Sequence, residues 1–398
     1  MKKMGFYLVL FMSSAFTFSC SINESAEIPI ENLLKESLDF ARSQTLLMAK
    51  SLENKEGRLP KTTDRFGNIE TCDSHWWVSG FFPGQLWYMA EYSQSPEMMD
   101  YAELYSKRVQ KEQFTTDNHD VGFIIFCSYG NGYRITGNDD YLPIIKQTSE
   151  SLSTRYRENV GCIQSWGSND RWQCPVIVDN MMNLELLLWS AKKFNEPKFN
   201  EIAINHADKT IEHHYRSDFS SYHVVSYDTL SGDVQVKNTA QGYADESAWA
   251  RGQSWGLYGY VMMARMTGEK KYLDHAKGVA DYLINHSNLP KDKIPYWDYN
   301  APNIPDCPRD VSAGTIMCSA LIELSQLVDD GKKYLDVAEK QLRVLATNKY
   351  RNAPGNNGNF ILKHSVGHMP AGTELDVPLS YADYYYVEAL MRYQDLLK

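Results

Sequence analysis

A chain of 398 residues, 43% hydrophobic and 23% charged, has the make-up of an ordinary globular protein and is long enough for one large domain or two smaller ones. A net charge of −10 with no Lys/Arg-rich run argues against a nucleic-acid partner. An anionic ligand must be drawn by a few local cations and not by the field of the whole molecule.

The chain opens with Lys2 and Lys3, then a mostly apolar stretch from Gly5 to Phe18, then Ser19-Cys20. That stretch is too short to span a bilayer as a mature helix, and the layout is that of a secretory signal. A Cys directly after a small residue at the cleavage point has the form of a bacterial lipoprotein signal. Residues 1–19 are then removed, Cys20 is lipidated, residues 20–29 act as a tether, and residues 30–398 form a single domain. The expected address is the periplasm, or the outer membrane through the anchor; an ordinary signal peptide is the alternative. The other six Cys show no C-x-x-C and no paired His spacing, so the pattern does not indicate a zinc site. Cys127 and Cys318 sit in apolar stretches and read as small core residues.

From there on helical periodicity dominates, and two kinds of helix alternate. The first kind opens with turn residues and keeps a polar face: 31–53, 95–112, 138–155, 196–215, 269–286 and 331–347. Ser95-Pro96, Gly137-Asn138, Pro197, Gly268 and Gly331 mark the starts. The second kind is apolar nearly all round: 79–92, 120–135, 178–194, 251–266, 312–328 and 380–396. Such helices must be buried. Gly80, Gly122, Gly252, Gly256 and Gly314 lie near their starts and permit close approach. Six outer and six inner helices in alternation predict an all-α, (α/α)6 double-ring barrel. An open solenoid built from the same pairs is the alternative. It would not require inner helices so uniformly apolar, nor polar exceptions gathered at one end.

Those exceptions are His75-Trp76-Trp77, His119-Asp120, Asp179-Asn180, Gln241 through Arg251 with Trp255, Asp310, and Tyr381 with Asp383. In a ring of parallel inner helices they converge on one mouth, where helix N-termini favour a carboxylate. Any single Asp at a helix start is commonly just a cap. Asp120 and Asp179 beside Trp and His point instead to paired-carboxylate glycoside chemistry. The 13% aromatic content, with 26 Tyr and 9 Trp, fits sugar stacking as well as it fits a large core. No Ser-His-Asp ordering and no phosphate loop is present, and nothing calls for a metal or an organic cofactor.

Several segments resemble the unsaturated glucuronyl hydrolases of glycoside hydrolase family 88. They are Trp77-Val-Ser-Gly-Phe-Phe-Pro-Gly84, His119-Asp-Val-Gly-Phe123, Val178-Asp-Asn-Met-Met-Asn183, Gln241 to Gly256, Ser312-Ala-Gly-Thr315 and Ser380-Tyr-Ala-Asp383. The stretch 241–256 is the most specific, and the likeness runs from about residue 30 to the C-terminus. It implies an (α/α)6 barrel acting on oligosaccharides left by polysaccharide lyases, whose non-reducing end is a uronate with a C4=C5 double bond. It implies hydration of that vinyl ether and not attack at the anomeric carbon. By position, Asp179 matches the general acid/base, whose pKa has to be raised, and Asp120 the second acid. His223 and Gln241 match substrate contacts, and His119 and Tyr381, at the same mouth, are expected to touch substrate too. Arg251 is the choice for the uronate carboxylate, and Trp77 (or Trp76), Trp166 (or Trp172) and Trp255 for stacking walls. Lys363 to His368 reads either as a loop that meets the next sugar and any sulfate on it, or as an ordinary connection. The rivals are an unsaturated rhamnogalacturonyl hydrolase and a non-catalytic glycan-binding lipoprotein. Parent polysaccharide and oligomeric state stay open.

Overall fold

The structure, a computed structural model, describes residues 28–398 together with Met1; the signal, Cys20 and nearly all of the tether lie outside the described residues. The helices are α1 (Ile30–Leu52), α2 (Phe81–Ser93), α3 (Pro96–Val109), α4 (Asn131–Thr136), α5 (Leu142–Ser153), α6 (Leu184–Phe194), α7 (Pro197–His214), α8 (Ala250–Thr267), α9 (Lys270–Asn285), α10 (Val311–Leu327), α11 (Lys332–Leu345) and α12 (Ser380–Leu396). Even-numbered helices form the inner ring. Each packs on the next, α4 reaching α6 through the stretch 122–130 that precedes it, and α12 closes on α2, which an open solenoid would not allow. Odd-numbered helices lie outside. Chain order therefore alternates outer and inner, as the (α/α)6 reading expects.

Local chemistry explains the alternation. The inner α8 and α10 bury nearly every residue, whereas the outer α9 and α11 bury one stripe. Ser95 caps α3, its hydroxyl accepting from the Met98 N–H, and Pro96 fills the first turn. Gly137 and Gly268, at φ 65° and 72°, close α4 and α8 in the left-handed conformation that glycine adopts without strain. The repeated Lys-Lys-Tyr-Leu motif has a structural purpose. Lys271 and Tyr272 of α9 both bond Asp208 of α7, and Lys333 and Tyr334 of α11 both bond Asp281 of α9. Each motif buckles one outer helix to the one before it.

The connections differ at the two ends. Inner helices return to outer ones through tight turns. Outer helices lead into inner ones through longer segments, and those after α1, α5, α7 and α11 carry short antiparallel strands, which the helical reading of the sequence did not foresee. These are the hairpins β1 (Leu59–Thr63) with β2 (Ile69–Cys72) and β3 (Tyr156–Arg157) with β4 (Cys162–Ile163). A three-stranded sheet follows, of β5 (Pro175–Ile177), β6 (Val224–Tyr227) and β7 (Val234–Asn238), and last comes the hairpin β8 (Ser365–His368) with β9 (Thr373–Val377). They rim the end where the inner helices begin. At the opposite end the lumen opens as a cavity of about 560 Å³. Its charged groups are already paired: Arg134 with Glu91, Arg265 with Glu185, Arg392 with Glu388 and Asp395 with Lys398.

Candidate active site

Two inner helices begin irregularly, and each irregular stretch adjoins one of the two acids. Asp120 lies two residues before a π-helical stretch, Gly122–Gly130, that runs into α4. Asp179 lies in a 3-10 stretch, Val178–Asn183, that runs into α6. Such departures from α geometry are frequent at functional sites. Glycine permits this one: a Cβ on Gly122 would stand 2.8 Å from the Cα of Asn183. The two strands of chain that carry the acids therefore touch.

Capping explains neither acid. Asp310 is a cap, bonding the Ser312 N–H, and Asp383 accepts from the Ile361 and Leu362 N–H groups. Asp179 makes no cap bond, and its Oδ2 is buried without a hydrogen-bond partner. His223 Nε2 faces that oxygen at 3.7 Å. His223 Nδ1 accepts the N–H groups of Ala240 (3.1 Å) and Gln241 (3.2 Å), so the ring proton belongs on Nε2, toward Asp179. Burial, then the Arg251 charge, keeps His223 neutral by lowering its pKa. Asp120 Oδ1 receives the Asn183 side-chain amide at 3.3 Å and lies 3.4 Å from His119 Nε2.

Burial pushes both carboxyl groups up to about 7. For Asp179 the Arg251 charge opposes the rise and the Asp120 charge adds to it. An acid poised there can give a proton at neutral pH and take one back. Asp179 Oδ2, His119 Nε2, His223 Nε2 and the Tyr381 hydroxyl are all buried without a partner. Buried polar atoms are ordinarily satisfied, so this gathering marks a place where a ligand completes the bonds.

Aromatic rings line the site. Trp77 packs on Tyr381 (centroids 4.8 Å apart) and near Phe123 (6.1 Å), and Trp166 packs on Trp172 (5.3 Å) and against His223 (5.9 Å). Trp77 and Trp166 are half-buried, which leaves a face for a sugar, while Trp76 is exposed with Lys61 over its ring. Trp255, expected as a wall, is only 1% exposed and packs behind Phe123 and Tyr381, so it supports the wall instead. Sequence reasoning missed Trp249, whose ring lies 4.5 Å from His223 and 4.5 Å from the Arg251 guanidinium. It also missed Phe123 and Asn183, each visible inside a quoted motif but not singled out.

Arg251 does not offer the free fork to a uronate that the sequence leads one to expect. Its terminal nitrogens instead donate to Asp310 Oδ2 (3.3 Å), to the Val366 carbonyl and to the Gly367 carbonyl (2.6 Å), leaving only Nε unpartnered. Arg251 thus pins the β8 hairpin to the barrel and presents charge, not a fork, to Asp179. Gln241 reinforces the pin, since its amide also donates to Gly367 O (3.2 Å). Within Lys363 to His368, Ser365 is fully buried and its hydroxyl, like the four atoms above, has no hydrogen-bond partner. The spacing Gly252-Gln-Ser-Trp-Gly256 has the form G-x-S-x-G, but Ser254 is buried inside α8 and bonds Ala250 O, with no strand-to-helix elbow.

Residues 51–396 match the model of glycosyl hydrolase family 88. The chain belongs to this family. An unsaturated glucuronyl hydrolase of Formosa agariphila (strain DSM 15362 / KCTC 12365 / LMG 23005 / KMM 3901 / M-2Alg 35-1) is 43% identical, covering 81% of this chain and 80% of its own. An unsaturated chondroitin disaccharide hydrolase of Streptococcus agalactiae serotype III (strain NEM316) is 32% identical over 83% of this chain and 85% of that protein. A crystal structure of an unsaturated glucuronyl hydrolase specific for heparin superposes with a TM-score of 0.90 at 44% identity, over 92% of this chain and 98% of that one. Family 88 membership and this superposition give the chain its glycosidase class and its barrel, and Asp120 and Asp179 stand where two of the inner helices begin.

Proposed function

We propose that this family 88 protein is an exported unsaturated glucuronyl hydrolase that removes a 4,5-unsaturated uronate from the non-reducing end of glycosaminoglycan fragments. The observation that carries the reading is the buried acid pair with its unsatisfied polar neighbours at an aromatic mouth. Asp179, in its protonated form, gives its proton to C4 of the double bond. Positive charge then develops at C5 and is shared with the ring oxygen. Water adds at C5 and returns a proton to Asp179. The resulting hemiketal opens to a ketone at C5 and a hemiacetal at C1, which sheds the rest of the oligosaccharide. The overall change is addition of one water and cleavage of one glycosidic bond. His223, with its donor proton directed inward, and Asp120, as an anion, hold and polarise the sugar. Trp77 and Trp166 supply stacking faces.

The similarity to a heparin-specific enzyme and to a chondroitin disaccharide hydrolase supports the glycosaminoglycan class. Purified protein incubated with unsaturated disaccharides from heparin, chondroitin and hyaluronan will lose the ultraviolet absorbance of the conjugated double bond. Turnover of pectin fragments alone would favour the rhamnogalacturonyl reading; binding without turnover on any of them would favour a glycan-binding protein.

The N-terminal sequence supports export and a lipid anchor at Cys20. In a bacterial host, fatty-acid label will enter the wild-type protein, and Cys20→Ser will shift it from the membrane to the soluble fraction. Equal distribution of the two would leave an ordinary cleaved signal.

A further inference from the structure

Asn183 lies between the two acids without being one of them. It ends the 3-10 stretch that carries Asp179 and is fully buried. Its Oδ1 accepts the Phe123 N–H at 3.0 Å, in the first turn of the π-helical stretch that follows Asp120. That bond fixes the orientation of the amide. A flipped side chain would set an NH2 against an N–H and an oxygen against a carboxylate. The NH2 therefore points at Asp120 Oδ1, 3.3 Å away. An amide NH2 only donates, so it favours a carboxylate that accepts, which is the ionised form. Asp179 Oδ2 has no such donor within bonding distance.

We propose that Asn183 is a positioning residue that holds Asp120 as the charged member of the acid pair and so leaves the transferable proton on Asp179. The inference rests on the hydrolase reading above. Burial raises both carboxyl groups alike, to about 7, so the choice between them falls to their partners. Arg155, whose three donors end on the carbonyls of Thr116, Gln164 and Ser165, adds positive field at Asp120. His119 faces Asp120 at 3.4 Å and is held neutral by burial. Arg251 and His223 face Asp179, the first with its fork engaged and the second at 3.7 Å. With Asp120 charged, a second negative charge beside it is disfavoured, and the proton stays on Asp179.

Two variants test this on the intact enzyme, with kcat/KM for an unsaturated disaccharide measured against pH. Asn183→Ala removes the donor. The acidic limb of the profile will move up by about one pH unit, with the alkaline limb and KM little changed. Asn183→Asp keeps an acceptor for the Phe123 N–H but replaces the donor with a like charge. Both limbs will move up, and kcat at neutral pH will fall about tenfold or more. If the Ala variant does not fold, the Asp variant decides alone. Folded variants with wild-type limbs and a uniformly lowered rate would overturn the proposal, because a merely structural residue lowers the rate without moving a titration. A wild-type protein with no turnover would overturn the hydrolase reading instead.

Discussion

Asp179→Asn will lower turnover of an unsaturated disaccharide by roughly 10²–10⁴-fold and, at neutral pH, make the protein more stable. The first effect follows from chemistry: an amide has the shape of the acid but no proton to give to C4. The second follows from linkage. The carboxyl of Asp179 titrates near 7 in the folded chain because burial disfavours its anion. In the unfolded chain it titrates near the ordinary value of about 3.9. Between those values the native state holds a proton that the unfolded state has shed, so native stability falls as pH rises across that interval and stays reduced above it. Asn carries no such penalty. Unfolding curves should therefore coincide near pH 4 and separate progressively toward pH 7, with an upper limit on the order of 2–4 kcal/mol in favour of the variant. A stability difference that does not vary with pH, or retained turnover, would show that Asp179 is not the strained acid of this site. The combination is characteristic of a group kept for function at the expense of the fold.

Much of this arrangement is legible in the chain because the inner and outer helices differ in kind. A helix such as Val311–Leu327, apolar on every side, has nowhere to be but the inner ring, and Gly268 and Ser95-Pro96 mark turns between inner and outer helices. The acids were legible as polar residues at helix starts, within motifs that resemble family 88. What was not legible depends on neighbours distant in sequence. The strands at the mouth are two to five residues long and partly bulged, too short to print a two-residue period. The π-helical stretch after Asp120 falls in a run that is apolar nearly all round, where a change of hydrogen-bond register leaves no mark on the hydrophobic pattern. Asn183 stands in the run Val178–Asn183, but its meaning lies 60 residues away, at Phe123 and Asp120. Arg251 looked like a carboxylate receptor because the sequence gives its charge and not its partners. Those partners come from α10 and from the β8 hairpin, more than fifty and more than a hundred residues on.

That difference carries the second large prediction, because a pinning Arg251 and a substrate-binding Arg251 fail in different ways. The side chain is 1% exposed and Asp310 is fully buried. Arg251→Met removes the cation beside the Asp310 carboxylate and the guanidinium donors to the Val366 and Gly367 carbonyls, leaving Gly367 with Gln241 and Asp310 with the Ser312 and Val366 N–H groups. Stranding a buried charge in this way costs roughly 3–5 kcal/mol. Urea denaturation will show that loss. Activity will fall through kcat as well as KM, since Gly367 and Gln241 both move when the β8 hairpin is released. Arg251→Lys will recover little, because a point charge cannot reach three acceptors set in a fork. A free receptor for the uronate would behave otherwise. Its removal would leave the denaturation midpoint near the wild-type value, raise KM steeply, and be partly rescued by Lys. Asp310→Asn combined with Arg251→Met sharpens the choice. If the guanidinium and the carboxylate act as one structural unit, the double variant will lose markedly less stability than the two single losses added together. Additive losses would mean that Arg251 pins the hairpin through the Val366 and Gly367 carbonyls and not through Asp310.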